Sequence, residues 1–86
     1  MRVKILFFGE ASELAQKTED FIDFPENQDE ITYEIAKMRI FEKFKNLRKI
    51  ENICILAVDE KYSSPGEMLK LHQFSEIAII PPISGG

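Results

Sequence analysis

The group best suited to chemistry is the carboxylate at the end of the sequence. It follows two prolines, an isoleucine and three small residues: Pro81, Pro82, Ile83, Ser84, Gly85 and Gly86. Consecutive prolines cannot continue a β-sheet and favour an extended polyproline conformation, so this segment would reach ~20 Å when extended. Glycines lack a Cβ, so they thread narrow channels and leave the carboxylate without steric protection. We therefore expect residues 81–86 to present the Gly86 carboxylate to another enzyme for activation.

The context of the two glycines gives this expectation its weight. Most glycine-rich ends simply fray, so a Gly-Gly pair alone is weak evidence. Here a strand pattern ends at Ile80 and two prolines follow directly. Ser84 has no base beside it, and we expect it to serve as a small spacer.

The other candidate side chains predict no chemistry of their own. Cys54 lies in the middle of an apolar run and is expected to be a small core residue. His72 stands alone in the sequence, which is typical of a surface or turn histidine. No Ser/His/Asp set and no ligand cluster is visible, so we expect neither a metal site nor acid–base machinery.

Composition restricts the classes of partner. The 86 residues fit one domain, and 15 acidic against 11 basic residues give a net charge of -4. An acidic chain is repelled by a phosphate backbone, so nucleic acid is not an expected partner. No apolar run approaches the ~20 residues that span a bilayer. The apolar run within residues 2–8 is too short for a signal peptide and lacks a small-residue cleavage site. We expect a cytosolic protein without a membrane partner.

Apolar spacing predicts the elements that position the tail. Strands are indicated where apolar residues alternate or run together between turn residues: residues 3–8, 20–24, 53–58 (a buried strand) and 76–80. A short helix is predicted over residues 12–17, capped by the Ser12 hydroxyl. Residues 59–61 turn the chain toward a short strand at Tyr62, and residues 63–66 form a second turn.

The longest helical signal lies between the second and third of these strands. Apolar residues recur there at spacings of three and four, as in the buried stripe of an amphipathic helix: Ile31, Ile35, Met38, Phe41 and Phe44. Asp29 or Thr32 is expected to cap its start, and Asn46 to end it with a left-handed turn. Met38 and the phenylalanines are thus expected in the core.

The order of these elements predicts the fold. Two hairpins around one long helix indicate an α+β chain of the β-grasp type, with a mixed sheet of about five strands packed on that helix. The first and last strands would lie side by side and parallel. We expect one domain over residues 1–80 and an extended flexible tail over residues 81–86.

The segment from Glu76 to Gly86 resembles the C-terminal signature of the molybdopterin synthase small subunits, the ubiquitin-like sulfur carriers of molybdenum cofactor biosynthesis. Residues 3–9 and 13–15 are similar to that family's first strand and helix, and residues 56–62 to its central strand and turn. This chain has Phe74-Ser75 where the family commonly has Gly-Asp, and Asp59 where asparagine is frequent. Phenylalanine resists the positive φ that glycine allows, so the turn before the last strand departs from the family pattern.

The resemblance implies a sulfur-transfer role that depends on other proteins. An ATP-dependent, ubiquitin-activating-type adenylyltransferase and sulfurtransferase would adenylate the Gly86 carboxylate and convert it to a thiocarboxylate. The tail would then enter the large subunit of molybdopterin synthase and donate sulfur to the cyclic pterin monophosphate precursor. The chain would be a non-autonomous subunit, in a heterotetramer of two small and two large subunits, with no cofactor bound permanently.

The strand pattern predicts a docking surface beside the tail. If alternate residues of the first and last strands face the helix, Leu6, Phe8, Ala78 and Ile80 share the opposite face. Large apolar groups on a sheet face that is normally solvated mark a partner surface. Tyr62 is expected to join them, and the same positions resemble the family's contact surface for the large subunit.

Two other functions stay open on the sequence. One is a related sulfur carrier, serving thiamine synthesis or acting as a ubiquitin-related modifier that thiolates transfer RNA and is attached to lysines. The other is a non-catalytic β-grasp interaction module with an inert tail. Pro-Pro-Ile-Ser before the glycines favours the synthase subunit over the related carriers. Appending one residue after Gly86 would separate the interaction module from the carriers, because only a carrier needs the free carboxylate.

Overall fold

Seven strands, two α-helices and one 3₁₀ helix make up the computed structural model, which describes residues 1–27 and 29–82. In chain order they are β1 (Arg2–Phe7), α1 (Glu10–Ala15), β2 (Glu19–Asp23), β3 (Glu30–Thr32), α2 (Tyr33–Lys43), the 3₁₀ helix (Lys45–Ile50), β4 (Ile55–Val58), β5 (Lys61–Tyr62), β6 (Met68–Lys70) and β7 (Glu76–Ile80).

Five of these strands form one mixed sheet in the order β2-β1-β7-β4-β5. The first and last strands lie side by side and parallel, with Ile5 opposite Ile77 and Phe7 opposite Ile79. The neighbours β2 and β4 run antiparallel to β1 and β7. A long helix lies between the two outer hairpins in the chain, so the predicted β-grasp topology is confirmed.

Alternation along the two central strands builds the core. Val3, Ile5 and Phe7 of β1 and Ile77 and Ile79 of β7 are buried. The chain after α2 closes over this layer, since the rings of Phe7 and Phe44 meet edge to face with centroids 5.1 Å apart. The opposite face of the two strands is therefore free of the helix.

The buried face of α2 differs from the predicted stripe. Ile35 and Met38 are 39% and 56% exposed, so the prediction that they lie in the core is wrong. Ile31 is buried, but from β3, and the helix begins at Tyr33 after a cap in which Thr32 Oγ1 accepts from the Ile35 amide at 3.2 Å. The helix buries Phe41, as predicted, together with three residues outside the predicted stripe: Tyr33, Ala36 and Ile40.

The segments on either side of α2 also hold elements that the pattern did not indicate. β3 pairs with β6 in a two-stranded ribbon, where Ile31 lies opposite Leu69. The predicted left-handed end at Asn46 is wrong, because Phe44 ends α2 with φ −107° and a 3₁₀ helix follows. Leu47 and Ile50, three residues apart, are its buried residues, which fits the three-residue period of a 3₁₀ helix.

Two smaller expectations are corrected near the sheet. The helix α1 begins at Glu10, and the Ser12 hydroxyl donates to the Gly9 carbonyl at 2.8 Å instead of capping the helix. The strand β4 begins at Ile55, and both Ile53 and Ile55 are exposed, so residues 53–58 are not a fully buried strand.

The turn before β7 contains a strained residue. Phe74 adopts φ +124° and its side chain is 83% exposed, while Ser75 beside it is fully buried. Such a φ in a bulky residue costs about 1–3 kcal/mol. The turn thus keeps the glycine-like backbone that the family pattern implies, although phenylalanine occupies it.

Candidate functional site

The face of the sheet that α2 leaves open contains an apolar groove. The predicted partner residues Leu6, Phe8, Tyr62 and Ile80 all line one concave cavity of about 340 Å³. Phe8 is 49% and Tyr62 is 74% exposed, so large rings stand open to solvent at its rim. We call this cavity the docking groove. The structure therefore brings Leu6, Phe8 and Ile80, which alternation placed on this surface, together with Tyr62, which was expected to join them.

Small residues on adjacent strands form the floor of the docking groove. Ala57 of β4 lies opposite Ala78 of β7 and opposite Tyr62 of β5. Because an alanine side chain ends at Cβ, the floor is low while Leu6 and Phe8 rise on one side and Tyr62 on the other. Ala57 was not among the predicted residues, although its alternation with Leu56 along β4 was a signal that places it on this face.

Charged residues border the groove at the end farther from the tail. Lys4 Nζ lies 3.8 Å from a Glu19 carboxylate oxygen and 3.9 Å from a Glu76 carboxylate oxygen. These pairs are partly solvated, so they contribute little to stability. They separate the docking groove from the part of the face nearer the start of β1.

The chain leaves the sheet at the opposite end of this face, beside Phe8. The Phe8 amide donates to the Ile79 carbonyl at 3.2 Å, which holds the end of β7 against β1. Gly9 adopts φ +52°, and a Cβ built there would lie 3.4 Å from Cγ of Pro81, so the first proline packs against this glycine. Pro82 is exposed. The other predicted tail residues, Ile83, Ser84, Gly85 and Gly86, lie outside the described residues.

Cys54 and His72 are placed as predicted. Cys54 is buried, its thiol is 3.7 Å from the Glu51 carbonyl as a donor, and burial raises the pKa of the thiol. His72 is exposed, with Nε2 3.4 Å from an Asp59 carboxylate oxygen. Neither side chain lines the docking groove.

Ser75, His72 and Asp59 lie together but do not form a nucleophilic triad. The Ser75 hydroxyl donates to Asp59 Oδ2 at 3.0 Å and accepts from the His72 backbone amide at 2.9 Å. In a Ser/His/Asp triad the hydroxyl would instead face the imidazole. Ser75 is fully buried, so its role is structural.

The described residues offer no metal site and no membrane helix. Within residues 1–27 and 29–82, no three His, Cys, Asp or Glu side chains are grouped closely enough to hold a metal ion. Over the same ranges, no helix has the length and apolar character that crossing a bilayer requires.

Comparison with known proteins places this geometry in a family. Residues 5–86 match the model of the ThiS family. The molybdopterin synthase sulfur carrier subunit of Caenorhabditis elegans is 50% identical over 84 residues, which cover 98% of this chain and 96% of that protein.

Solved structures confirm the fold. SAMP1 from Haloferax volcanii superposes with a TM-score of 0.78 at 16% identity, over 100% of both chains. A chain from the protein–protein complex of subunits 1 and 2 of the molybdopterin-converting factor of Helicobacter pylori superposes with a TM-score of 0.69 at 20% identity, again over 100% of both chains. The chain belongs to the ThiS family of ubiquitin-like β-grasp proteins, and within it to the molybdopterin synthase sulfur carrier subunits.

Proposed function

We propose that this chain is the sulfur carrier subunit of a molybdopterin synthase and that Gly86 bears the transferred sulfur. The observation that carries the proposal is the 50% identity, over nearly the whole length of both chains, to a protein of that name. The exit of residue 81 beside the docking groove supports it, because a partner seated on the groove lies next to the root of the tail.

The first step of the proposed mechanism is activation by a second enzyme. In a ubiquitin-activating-type enzyme, a Gly86 carboxylate oxygen attacks the α-phosphate of ATP, and pyrophosphate leaves. The resulting glycyl adenylate is a mixed anhydride with a good leaving group, AMP. A persulfide on the sulfurtransferase displaces AMP to give an acyl disulfide. A second thiol then cleaves the S–S bond, forms a disulfide with the donor sulfur, and leaves a thiocarboxylate, 1-thioglycine, at residue 86. ATP is consumed by the partner, so this chain keeps no bound cofactor.

The second step is delivery to the large subunit. The tail over residues 81–86 extends from the domain over residues 1–80 and places the thiocarboxylate in the large subunit's active site. The sulfur attacks the cyclic pterin monophosphate precursor, and water cleaves the resulting thioester, which leaves the sulfur on the precursor and returns the Gly86 carboxylate. Two such transfers complete the dithiolene. The carrier must therefore cycle between loading and delivery, within a heterotetramer of two small and two large subunits.

The docking groove gives the large subunit its binding surface in this proposal. Leu6, Phe8, Tyr62 and Ile80 present apolar area that water solvates poorly, and a partner side chain that fills the groove removes it from water. The related fold from Helicobacter pylori was solved in a complex of subunits 1 and 2, which supports a partner of this kind.

The side chains of the docking groove indicate which subunit supplies the catalytic groups. The docking groove is lined by apolar residues and by Glu60 and Glu76, and it offers no nucleophile with an adjacent base. Acid–base groups and the precursor pocket therefore belong to the large subunit. We place the protein in the cytosol, as the sequence analysis predicts.

Direct loading tests the function. The protein is incubated with ATP, magnesium, an activating enzyme that loads a known carrier, and a sulfur source, and the C-terminal peptide is then measured by accurate mass. We expect one oxygen at Gly86 to be exchanged for sulfur; accurate mass separates this exchange from methionine oxidation. The matched control carries one extra residue after Gly86, which removes the glycine carboxylate and should stay unloaded. A plain carboxylate on the wild type, under conditions that load the known carrier, would refute the proposal.

A further inference from the structure

A second groove lies on the open face of the sheet, below the row of charges formed by Lys4, Glu19 and Glu76. It has a volume of about 400 Å³, and its lining includes Arg2, Phe21 and Phe74. We call it the Phe74 groove. It was not indicated by the sequence, because it depends on where the turn before β7 places the Phe74 ring.

The Phe74 ring is exposed at the cost of backbone strain. With φ +124°, this residue holds a conformation that glycine adopts freely and phenylalanine resists. The side chain is 83% exposed, so burial of the ring within the described residues does not offset the strain. A bulky residue held strained at the surface suggests a contact made with another molecule.

Arg2 adds a charge to the same groove. Its guanidinium carbon lies 4.3 Å from the centroid of the Phe21 ring, so the cation stacks on an aromatic face. Across residues 1–27 and 29–82, no carboxylate oxygen lies within 4.0 Å of this guanidinium. The groove therefore combines two aromatic rings with a cation that is available to an acidic group.

The two grooves adjoin each other, since Glu76 lines both the docking groove and the Phe74 groove. Arg2, Leu6 and Phe8 lie on the same side of the sheet, since alternate residues of one strand share a face. A partner that covers the docking groove and extends along β1 thus reaches the Phe74 groove next.

We propose that the Phe74 groove is a second contact area for the large synthase subunit. Its occupant is a segment of that subunit with an apolar side chain, which packs between the Phe21 and Phe74 rings, and an adjacent carboxylate, which pairs with Arg2. The inference rests on the proposed function and names a further part of the same interface.

Calorimetric titration of the large subunit of the same organism's synthase tests the proposal. Phe74→Gly removes the ring and relieves the strained φ, so we expect affinity to fall about tenfold while the thermal midpoint rises by about 4 °C. A fall in affinity together with a rise in the thermal midpoint identifies Phe74 as a contact residue, because loss of a structural residue would lower the thermal midpoint. Arg2→Gln, which leaves the turn unchanged, should also weaken binding and reduce its dependence on salt. Met38→Ala, an exposed change on α2, is the matched control and should bind like the wild type.

Phe8→Asp separates failure of the Phe74 groove as a contact from failure of the docking groove itself. If Phe8→Asp abolishes binding while Phe74→Gly and Arg2→Gln both bind within twofold of the wild type, the second contact is refuted and the docking groove stands. If Phe8→Asp binds normally, the docking face itself is refuted. If Phe74→Gly instead abolishes self-association of this chain in sedimentation and leaves large-subunit binding intact, the groove receives a second copy, which also overturns the proposal.

Discussion

The hydroxyl of Ser75 donates a hydrogen bond of 3.0 Å to Oδ2 of Asp59, and this contact ties the turn after β4 to the turn before β7. The other carboxylate oxygen of Asp59 accepts from the Glu76 amide at 2.9 Å. The Ser75 hydroxyl also accepts from the His72 amide. One carboxylate and one buried hydroxyl thus satisfy the backbone at the start of the strand that leads to the tail.

Removing this contact should destabilise the fold. Ser75→Ala leaves the His72 amide and an Asp59 oxygen without their partner, so we expect the free energy of unfolding to fall by about 1–3 kcal/mol. Asp59→Asn should cost less, because its amide oxygen can still accept from Glu76 while its NH₂ group donates to Ser75. Asp59→Ala loses both bonds and should cost the most of the three. Urea unfolding measures the series, and equal losses for Asp59→Asn and Asp59→Ala would contradict this account.

Phe8→Asp should separate binding from folding. The ring is half exposed at the rim of the docking groove, so we expect the free energy of unfolding to change by less than about 1 kcal/mol. A buried carboxylate in the interface should weaken binding to the large subunit by at least about 30-fold. Met38→Asp, at a similarly exposed position on α2, is the matched control for the added charge. Loss of folding in Phe8→Asp would assign Phe8 to the core.

The Asp20 carboxylate should contribute to the free energy of unfolding at neutral pH and lose this contribution in acid. A hydrogen bond from Lys17, at 2.8 Å, and one from the Phe21 amide lower the pKa of Asp20 below its usual value of 3.8. A folded-state pKa below the unfolded one adds stability above the unfolded pKa, and this is lost as pH falls through the folded pKa. Asp20→Asn should therefore cost up to about 1 kcal/mol near neutral pH, and the difference from wild type should shrink in acid.

The control for Asp20 lies on the same strand. Asp23 is exposed and makes no salt bridge within 4.0 Å among residues 1–27 and 29–82. Its asparagine variant therefore reports the effect of removing one negative charge from β2. Unfolding curves at several pH values compare the two variants. An Asp20→Asn difference that persists unchanged at the lowest pH would argue against the Lys17 and Phe21 contacts as its cause.

Cys54 should resist alkylation until the protein unfolds. Burial raises the pKa of the thiol and keeps reagents away from it. We expect iodoacetamide to modify the native protein on the order of a hundredfold more slowly than the denatured protein. Mass spectrometry of the tryptic peptides measures both rates. Rapid native alkylation at Cys54 would mean that the thiol is accessible, and alkylation could then not be used to report on sulfur at Gly86.

The central strands were predictable because their signals are local. Alternation in β1 places Ile5 inward and Leu6 outward whatever packs above them, so the docking groove followed from the sequence. The helix register was not fixed in the same way, because Ala36, which is fully buried, carries little hydrophobic weight in a pattern. Met38 is more hydrophobic than alanine, so the pattern placed it in the buried stripe although it is exposed.

The Phe74 groove could not be predicted, for a different reason. Arg2 and Phe21 lie on the neighbouring strands β1 and β2, so the predicted topology would have placed them near each other. Phe74, however, lines the groove from a turn in which it holds φ +124°. No propensity indicates such a φ for phenylalanine. The roles of residues 83–86 rest on the family resemblance.

The position of β7 in the sheet has a mechanical consequence for the tail that starts at Pro81. This strand is central and carries hydrogen-bonded neighbours on both edges, β1 on one side and β4 on the other. When the tail is drawn into an active site or pulled out of it, the load along β7 is shared by many bonds in shear and is not applied to one bond at a time. We therefore expect the domain to stay folded under repeated pulling on the tail, at forces that would detach an edge strand.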